Sequence, residues 1–305
     1  MVTKSRRRLI SATVRYVILS IWGIVAFFPI YWMVSTSFKP DIQWFAWPPV
    51  YFPDPPTLAN YMNVWLGAEE YAQTQYAISS QTPLVSLWNT TVIAFSSTFL
   101  AVAFGSVLAY GVSRYRILSE ARMFQLLMLR MIPPIVVAIA ILMYYAILIP
   151  HATNALFGVR ISLFDTYIGL ILIYTVTTLP FVIWMMLTFI DEVPYTLEHA
   201  ARLMGAGRVQ VRRRVVLPLV ASGMVVTFLF VFILNWAEFL LALTLTHPEV
   251  TTLTVLLNKF QSAAEGRLYG PQAAIGTVVT VPVVIMGLLI QKHLVKGFSF
   301  GTIRK

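Results

Sequence analysis

Long stretches without a charged side chain constrain this chain more than any other feature. Six of them are long enough to cross a bilayer as helices, since one crossing needs about 20 predominantly apolar residues. They cover residues 16–38, 71–113, 131–159, 166–190, 215–237 and 268–291. Only 11% of all residues are charged, whereas a soluble domain carries about 25%. Hydrocarbon offers the backbone no outside hydrogen-bond partners, so the sequence predicts an all-α, multi-pass membrane protein with six transmembrane helices.

Polar residues within and beside the runs set the predicted helix boundaries. The predicted spans are residues 15–38, 85–112, 123–148, 166–190, 218–245 and 272–294. The third span starts ahead of its charge-free run and takes in Arg130, whose long side chain reaches the interface. The fifth continues past Glu238. The first follows a basic segment, as a signal peptide does, but its apolar run exceeds the usual length of about 7–15 residues, which indicates a retained helix.

Arginine and lysine residues are concentrated in alternate connections between the spans. The basic segments are residues 1–14, 113–122, 191–217 and 295–305, whereas residues 39–84 and 246–271 hold few positive charges. Because cytoplasmic connections carry the excess of Lys and Arg, both termini and the loop 191–217 are predicted to be cytoplasmic. The net charge of +10 is therefore explained by membrane topology, and nucleic-acid binding is not predicted.

The cytoplasmic loop 191–217 contains a short segment, LEHAARLMGAG, that differs from the apolar runs around it. Its periodicity predicts a helix that starts near Pro194 and ends at Gly205 as a left-handed cap. One face would hold Leu197, Ala200, Ala201 and Met204, and the other Glu198, His199 and Arg202. Glu198 and Arg202 are spaced for a surface ion pair. A helix that lies on lipid usually carries bulky apolar residues and several lysines, so this one is predicted to dock on a protein.

A few polar residues inside the spans are candidates for a translocation path. Glu238 lies within the fifth span, where an ionisable group is costly and faces protein or water. It either lines the path or makes a buried structural hydrogen bond. The other candidates are Asn89, Tyr174, Thr178, Asn235 and Trp236. Their hydroxyls, amides and rings suit contacts with a polar solute, and they suit contacts between helices equally well.

The loop segment resembles a motif of ATP-binding-cassette (ABC) importers, whose membrane subunits carry Glu-Ala-Ala, three residues, Gly, nine residues and Ile-x-Leu-Pro. The residues in register are Ala200, Ala201, Gly205, Val215, Leu217 and Pro218. His199 stands at the motif's glutamate position, with Glu198 just before it. Nearly the whole chain, including RMIPPIVVAIAIL and NWAEFLLAL, is similar to carbohydrate-uptake permeases that resemble the second membrane subunit of the maltose transporter.

This resemblance implies a fold, partners and a location. The expected fold is that of a type I ABC importer permease with a core over residues 72–295, and Leu197 to Gly205 would be the coupling helix that contacts an ATPase. The expected partners are a second homologous permease, an ATPase dimer and an extracytoplasmic sugar-binding protein. The location would be a prokaryotic inner membrane. The chain itself would bind no cofactor, since ATP and Mg²⁺ would be used by the ATPase.

Two other classes of function are weighed against an importer permease. The chain contains no Gly-x-x-x-x-Gly-Lys-Ser/Thr loop and is therefore not predicted to be the ATPase itself. A self-sufficient secondary transporter normally needs ionisable relays in its spans, and only Glu238 and Arg130 qualify. A membrane-embedded enzyme would need a catalytic constellation, whereas the four histidines lie far apart in sequence.

Overall fold

The computed structural model describes residues 4–66, 82–129, 133–262 and 266–300. In chain order the helices are α1 (Lys4–Ser37), α2 (Ala59–Leu66), α3 (Pro83–Tyr115), α4 (Glu120–Leu129), α5 (Pro134–Phe157), α6 (Tyr167–Asp191), α7 (Tyr195–Leu203), α8 (Arg208–Leu219), α9 (Ala221–Trp236), α10 (Leu240–Leu245), α11 (Leu253–Lys259) and α12 (Tyr269–Phe300). Short 3₁₀ turns occupy Asp41–Gln43 and Pro248–Val250. Two antiparallel strands of two residues each, β1 (Gln261–Ser262) and β2 (Gly266–Arg267), precede α12.

Among the described residues, five helices contain a segment that is long and apolar enough to cross a membrane. These segments are Ala12–Ser37, Pro83–Tyr115, Pro134–Phe157, Tyr167–Asp191 and Tyr269–Gln291. Helices α8 and α9 supply a sixth span if they are taken together across their 71° bend. The prediction of an all-α, multi-pass membrane protein is therefore confirmed for the described residues.

The third predicted span differs most from the structure. The sequence placed it at 123–148, but α4 ends at Leu129 and a separate helix runs from Pro134 to Phe157. Proline suits the first turn of a helix, where its missing N–H has no partner to lose, so the Pro133–Pro134 pair fixes the start of α5. Arg130 and residues 67–81 lie outside the described residues.

Prolines also explain two local departures from α-helical geometry. A π-helical turn at Tyr144–Leu148 interrupts α5 just ahead of Pro150, and another at Arg212–Val216 interrupts α8 ahead of Pro218. Proline lacks an N–H and its ring crowds the preceding turn, so the hydrogen-bond ladder shifts there. The predicted fifth span, residues 218–245, is divided into the end of α8, all of α9 and the short helix α10.

The larger of two compact units comprises residues 79–256 and 281–305. Its centre is the pair α3 and α6, and α9 packs against both. Small buried residues follow one face of α3: Ala94, Ser97, Ala101, Gly105 and Ala109. A Cβ atom at Gly105 would lie 2.5 Å from Cγ1 of Val182 on α6. Small side chains at this spacing allow two membrane helices to approach closely.

The smaller unit comprises residues 1–78 and 257–280. The Asn60 side chain on α2 donates hydrogen bonds to the carbonyl oxygens of Ser37 and Lys39, at 3.0 and 2.9 Å. The Lys39 ammonium lies 3.7 Å from the centroid of the Trp32 ring, and burial lowers the pKa of Lys39. These contacts fix the end of α1 against α2.

Candidate functional site

Helix α7 has nine residues, and residues on both sides of it fix where it begins and ends. Pro194 precedes it in an extended conformation, and Gly205 follows its last turn with a φ of 88°. The Gly205 N–H donates to the Arg202 carbonyl at 2.9 Å and the Ala206 N–H to the Ala201 carbonyl at 3.0 Å. This pair of bonds is the Schellman motif, which needs a residue in the left-handed region. The predicted cap at Gly205 is therefore present.

One side of α7 is exposed and apolar. Leu203 and Met204 are 90% and 82% exposed, and Leu197 and Ala200 beside them are also exposed. Leu203 was not among the predicted contact residues, although it lies one turn from Ala200. Ala201, which the sequence placed on the docking face, is buried. The exposed apolar surface of α7 thus comprises Leu197, Ala200, Leu203 and Met204, bordered by the exposed side chains of His199 and Arg202.

Glu198 lies on the opposite side, which corrects the prediction of a solvent-exposed acid. It is 2% exposed, and both carboxylate oxygens accept hydrogen bonds from α3. Tyr110 Oη donates to Oε2 at 2.8 Å, and Arg114 Nε donates to Oε1 at 2.5 Å. The predicted partner, Arg202, is 3.8 Å away and much more exposed. Glu198 therefore attaches α7 to its own chain and does not face outward.

Arg114 is the other half of this attachment, and its side chain is also 2% exposed. Its guanidinium donates to the carbonyl oxygens of Ile190 and Val193, at 3.0 and 2.8 Å. It also stacks over the Tyr195 ring, with Cζ 4.2 Å from the centroid. Arg114 thus joins the ends of α3 and α6 to the start of α7. The sequence counted it only as a positive loop charge, because spacing along the chain does not reveal a partner 84 residues away.

Pro218, the last residue of the motif, lies in the final turn of α8, after the π-helical turn and just before the bend to α9. It is exposed and makes no part of the surface of α7. Its position explains the local geometry: a proline there favours a kink. The motif therefore spans two features, a short exposed helix and the bend that follows it.

A cavity of about 570 Å³ lies among α3 to α6, α9 and the α9–α10 break. Four predicted path residues line it: Tyr174, Thr178, Asn235 and Glu238. Most of the other lining side chains are aliphatic, and Thr177 is a further polar member that the sequence analysis missed. Glu238 lies where α9 has ended and α10 has not begun. Irregular backbone at membrane depth is tolerated where it is buried in protein or lines a cavity.

The polar groups of the cavity are only partly satisfied by the described residues. Glu238 Oε1 accepts a hydrogen bond from the Leu241 N–H at 3.0 Å, and Asn235 Nδ2 donates to Ser97 and Thr98 at 3.0 and 3.1 Å. The Tyr174 hydroxyl is buried and has no hydrogen-bond partner among the residues that the structure describes. A buried hydroxyl is costly without a partner, so Tyr174 is the group most in need of a ligand or water.

The remaining two path candidates serve packing. The Asn89 side chain donates to the Thr251 carbonyl at 3.0 Å and accepts a hydrogen bond from the Tyr167 hydroxyl. Trp236 is 2% exposed and stacks on Phe232, with ring centroids 5.5 Å apart. Neither lines the cavity. For these two residues the structure favours the alternative that the sequence left open, contacts between helices.

Comparison with known proteins places this arrangement in a family. Residues 101–300 match the family model described as "Binding-protein-dependent transport system inner membrane component". The chain is 30% identical over 290 residues to the probable ABC transporter permease protein y4oR of Sinorhizobium fredii, covering 93% of both chains. It is also 30% identical to the trehalose transport system permease protein SugB of Mycobacterium tuberculosis, covering 92% of this chain and 93% of that one.

A third relative is the sulfoquinovosyl glycerol transport system permease protein SmoH of Agrobacterium fabrum, 29% identical over 95% of this chain and 93% of its own. Among solved structures, a bacterial ABC transporter that imports the acidic polysaccharide alginate matches with a TM-score of 0.67, 20% identity and coverage of 96% and 98% of the two chains. That likeness shows the permease fold. The chain therefore belongs to the binding-protein-dependent transport system inner membrane component family and is a multi-pass permease subunit of an ABC transporter.

Proposed function

We propose that this chain is the permease of an ATP-driven importer that moves a sugar or a related polyol across a prokaryotic cytoplasmic membrane by alternating access. The relatives that match nearly its whole length include permeases of transport systems for trehalose and for sulfoquinovosyl glycerol. Its substrate would be a mono-, di- or oligosaccharide. It works with a second homologous permease, two ATPase subunits and an extracytoplasmic sugar-binding protein.

Contact with the ATPase is assigned to α7. The observation that carries this assignment is the exposed apolar surface of Leu197, Ala200, Leu203 and Met204 on a helix that is otherwise fixed through Glu198. Large apolar side chains that are exposed together favour a protein contact. The side chain at Ala200 is small, which allows a partner surface to come close. His199, at the glutamate position of the ABC motif, lies at the border of this surface, where either residue type is accommodated.

ATP and Mg²⁺ belong to the ATPase subunits in this proposal, and the permease binds neither. The printed sequence contains no phosphate-binding loop of the Gly-x-x-x-x-Gly-Lys-Ser/Thr type, so the chain has no cradle of that kind for phosphates. A conformational change of the ATPase subunits on ATP binding and hydrolysis would displace α7 and thereby the permease. The substrate and the nucleotide then bias one equilibrium between inward-facing and outward-facing states, which is what coupling requires.

The cavity is the proposed part of the translocation path in this subunit. Tyr174 supplies a hydroxyl without a protein partner, and Glu238 supplies a carboxylate with one oxygen engaged. Both groups suit hydroxylated ligands, and the aliphatic walls suit the apolar face of a sugar ring. Ligand sites commonly combine a mostly apolar lining with a few convergent polar groups.

Reconstitution tests the proposed function. The purified complex of permeases and ATPase is placed in proteoliposomes with the sugar-binding protein, and uptake of labelled sugar is followed with and without ATP inside. We expect uptake that requires both ATP and the binding protein, together with ATP hydrolysis that rises when sugar is added. Accumulation of sugar by this chain alone, without ATP, would instead identify a secondary transporter.

A further inference from the structure

The attachment of α7 to the rest of the chain depends on very few side chains. Within α7 only Glu198 and Ala201 are buried. The Ala201 side chain adds contact area but makes no directional bond. The hydrogen bonds of Glu198 therefore determine the rotation of α7 about its own axis. Both of its carboxylate oxygens are engaged by α3, through Tyr110 and Arg114. This carboxylate is therefore committed within the chain, unlike the side chains at the exposed apolar surface of α7.

Arg114 holds that carboxylate in a fixed direction. Its guanidinium meets the Glu198 carboxylate, two backbone carbonyls at the end of α6 and the Tyr195 ring. A planar guanidinium presents its donors in a rigid fork, so several acceptors fix its orientation. A further hydrogen bond has its donor on α7 and its acceptor on α3: the Tyr195 hydroxyl donates to the Ser113 carbonyl at 3.0 Å. These contacts fix α7 in both position and rotation.

Helix α3 connects this point directly to the cavity. It runs without a break from Pro83 to Tyr115, and its residues Leu108 and Val112 line the cavity. Leu108 lies six residues before Arg114, which corresponds to roughly 9 Å along a helix. A helix is stiff over this distance, so a displacement of Arg114 displaces the cavity wall.

We propose that Arg114 is a positioning residue that makes α7 and the end of α3 move as one body, so that force applied to α7 reaches the cavity wall through α3. The proposal rests on the proposed function, because it assumes that an ATPase moves α7. It assigns the transmission of that motion to the buried Arg114–Glu198 pair and not to the contact between Glu198 and the exposed Arg202.

Conservative variants distinguish a loss of force transmission from α7 to α3 from a general loss of folding. Arg114→Lys keeps the positive charge but replaces the planar fork by a compact ammonium. Glu198→Gln keeps the size of the side chain but turns an NH₂ group toward one of the two donors from α3. Asp191→Asn is the matched control, because the Asp191 carboxylate lies 4.0 Å from the same Arg114 guanidinium at an exposed position outside α7, where an ion pair contributes little. None of the three alters the exposed apolar surface of α7.

The experiment measures sugar transported per ATP hydrolysed by the complete complex in proteoliposomes. We expect the Arg114→Lys and Glu198→Gln complexes to assemble and to hydrolyse ATP, while transport per ATP falls about fivefold or more, within the usual range of coupling between sites. Asp191→Asn should keep the wild-type ratio. An unchanged ratio in both variants, whatever their yield, would overturn the proposal. Absence of ATP-driven uptake by the wild-type complex would count against the proposed function itself.

A distance measurement provides a second readout that a merely structural contact would not change. The chain has no cysteine of its own. Spin labels can therefore be attached at Thr196→Cys on α7 and Arg116→Cys after α3 without labelling any other residue of this chain. Both positions are exposed. In the wild-type background we expect the same label distance in the nucleotide-free and ATP-bound complexes, and in Arg114→Lys a distance that differs between the two states. A change between states in the wild-type background would contradict movement as one body.

Discussion

At the scale of single residues, Gly205 shows how one position determines a functional element. Its φ of 88° lies in the left-handed region, and no atom lies within 4 Å of the place where a Cβ would be. A side chain there would meet no steric clash with neighbours, so its cost would come from the backbone conformation alone. That cost is about 1 kcal/mol or more for a residue with a Cβ. Gly207, two residues later, has an ordinary φ of −68°.

Replacing Gly205 by alanine should loosen the end of α7 without moving its start. A cost of about 1 kcal/mol corresponds to roughly a fivefold increase in local opening. We therefore expect the Gly205 and Ala206 amides, which close the Schellman motif, to exchange hydrogen for deuterium about fivefold faster. Exchange measured by mass spectrometry checks this. Gly207→Ala is the control and should leave the rate unchanged; equal rates in both variants would refute the role given to the positive φ.

The Arg114–Glu198 pair illustrates a second point at this scale. Removing one partner of a buried ion pair leaves a charge without compensation and costs about 3–5 kcal/mol. Arg202, whose side chain is 40% exposed, contributes at most about 1 kcal/mol. Of the two arginines near this carboxylate, one is therefore essential and the other dispensable, and only the structure tells them apart.

At the scale of elements, the α3–α6 pair owes its close approach to small residues. A Cβ at Gly105 would lie 2.5 Å from Val182 Cγ1, which no real contact tolerates, so the Val182 side chain or the two helices would have to shift. Gly23 on α1 is different, because no atom lies within 4 Å of its Cβ position. The two glycines have the same helix propensity, and only their surroundings differ.

The Gly105→Ala substitution should therefore destabilise the permease, while Gly23→Ala should be neutral or slightly stabilising, since alanine is the better helix former by about 1 kcal/mol. Val182→Ala removes the clashing methyl group, so the double variant Gly105→Ala with Val182→Ala should recover part of the loss. The measurement is the midpoint of thermal unfolding in detergent. Simple addition of the two single effects in the double variant would show that these side chains do not meet.

The elements also show what the sequence predicts and what it does not. Hydropathy predicted the number of long apolar helices but not the bounds of the third, and the Pro194 and Gly205 signals predicted α7, because both depend on local chemistry. Helical periodicity placed Glu198 and Leu197 on opposite faces of α7. It did not reveal which of the two faces packs against the rest of the chain. The Pro133–Pro134 pair carried the signal for the start of α5, but the apolar residues ahead of it hid that signal.

The cavity was predictable only in part, for a related reason. Tyr174, Thr178, Asn235 and Glu238 are polar residues in apolar spans and stand out in the sequence. Asn89 stands out equally, yet it tethers the backbone at Thr251. A polar residue in a span indicates that a partner exists, and the identity of the partner depends on contacts between distant parts of the chain.

At the scale of the whole molecule, α7 can contact an ATPase only if the chain is oriented in the membrane with α7 on the cytoplasmic side. The distribution of Lys and Arg predicts that both termini and α7 lie in the cytoplasm and residues 39–84 outside. A cysteine at Ser5 should therefore react only with a reagent that has entered the cell, and one at Pro56 only with a reagent outside. Labelling in intact and permeabilised cells checks this, and labelling of position 56 from the inside alone would reverse the topology.

The central claim is that ATP hydrolysed by a partner drives uptake through the exposed apolar surface of α7. The most direct test is the initial rate of ATP-driven sugar uptake by the complete complex carrying Ala200→Trp, with Leu156→Trp as the control at an exposed position on α5. Tryptophan at Ala200 enlarges the exposed surface without entering the protein interior. We predict an uptake rate at least about tenfold lower for Ala200→Trp, corresponding to about 1.4 kcal/mol, at equal amounts of inserted protein, and an unchanged rate for Leu156→Trp. Wild-type uptake by the Ala200→Trp complex would contradict the claim.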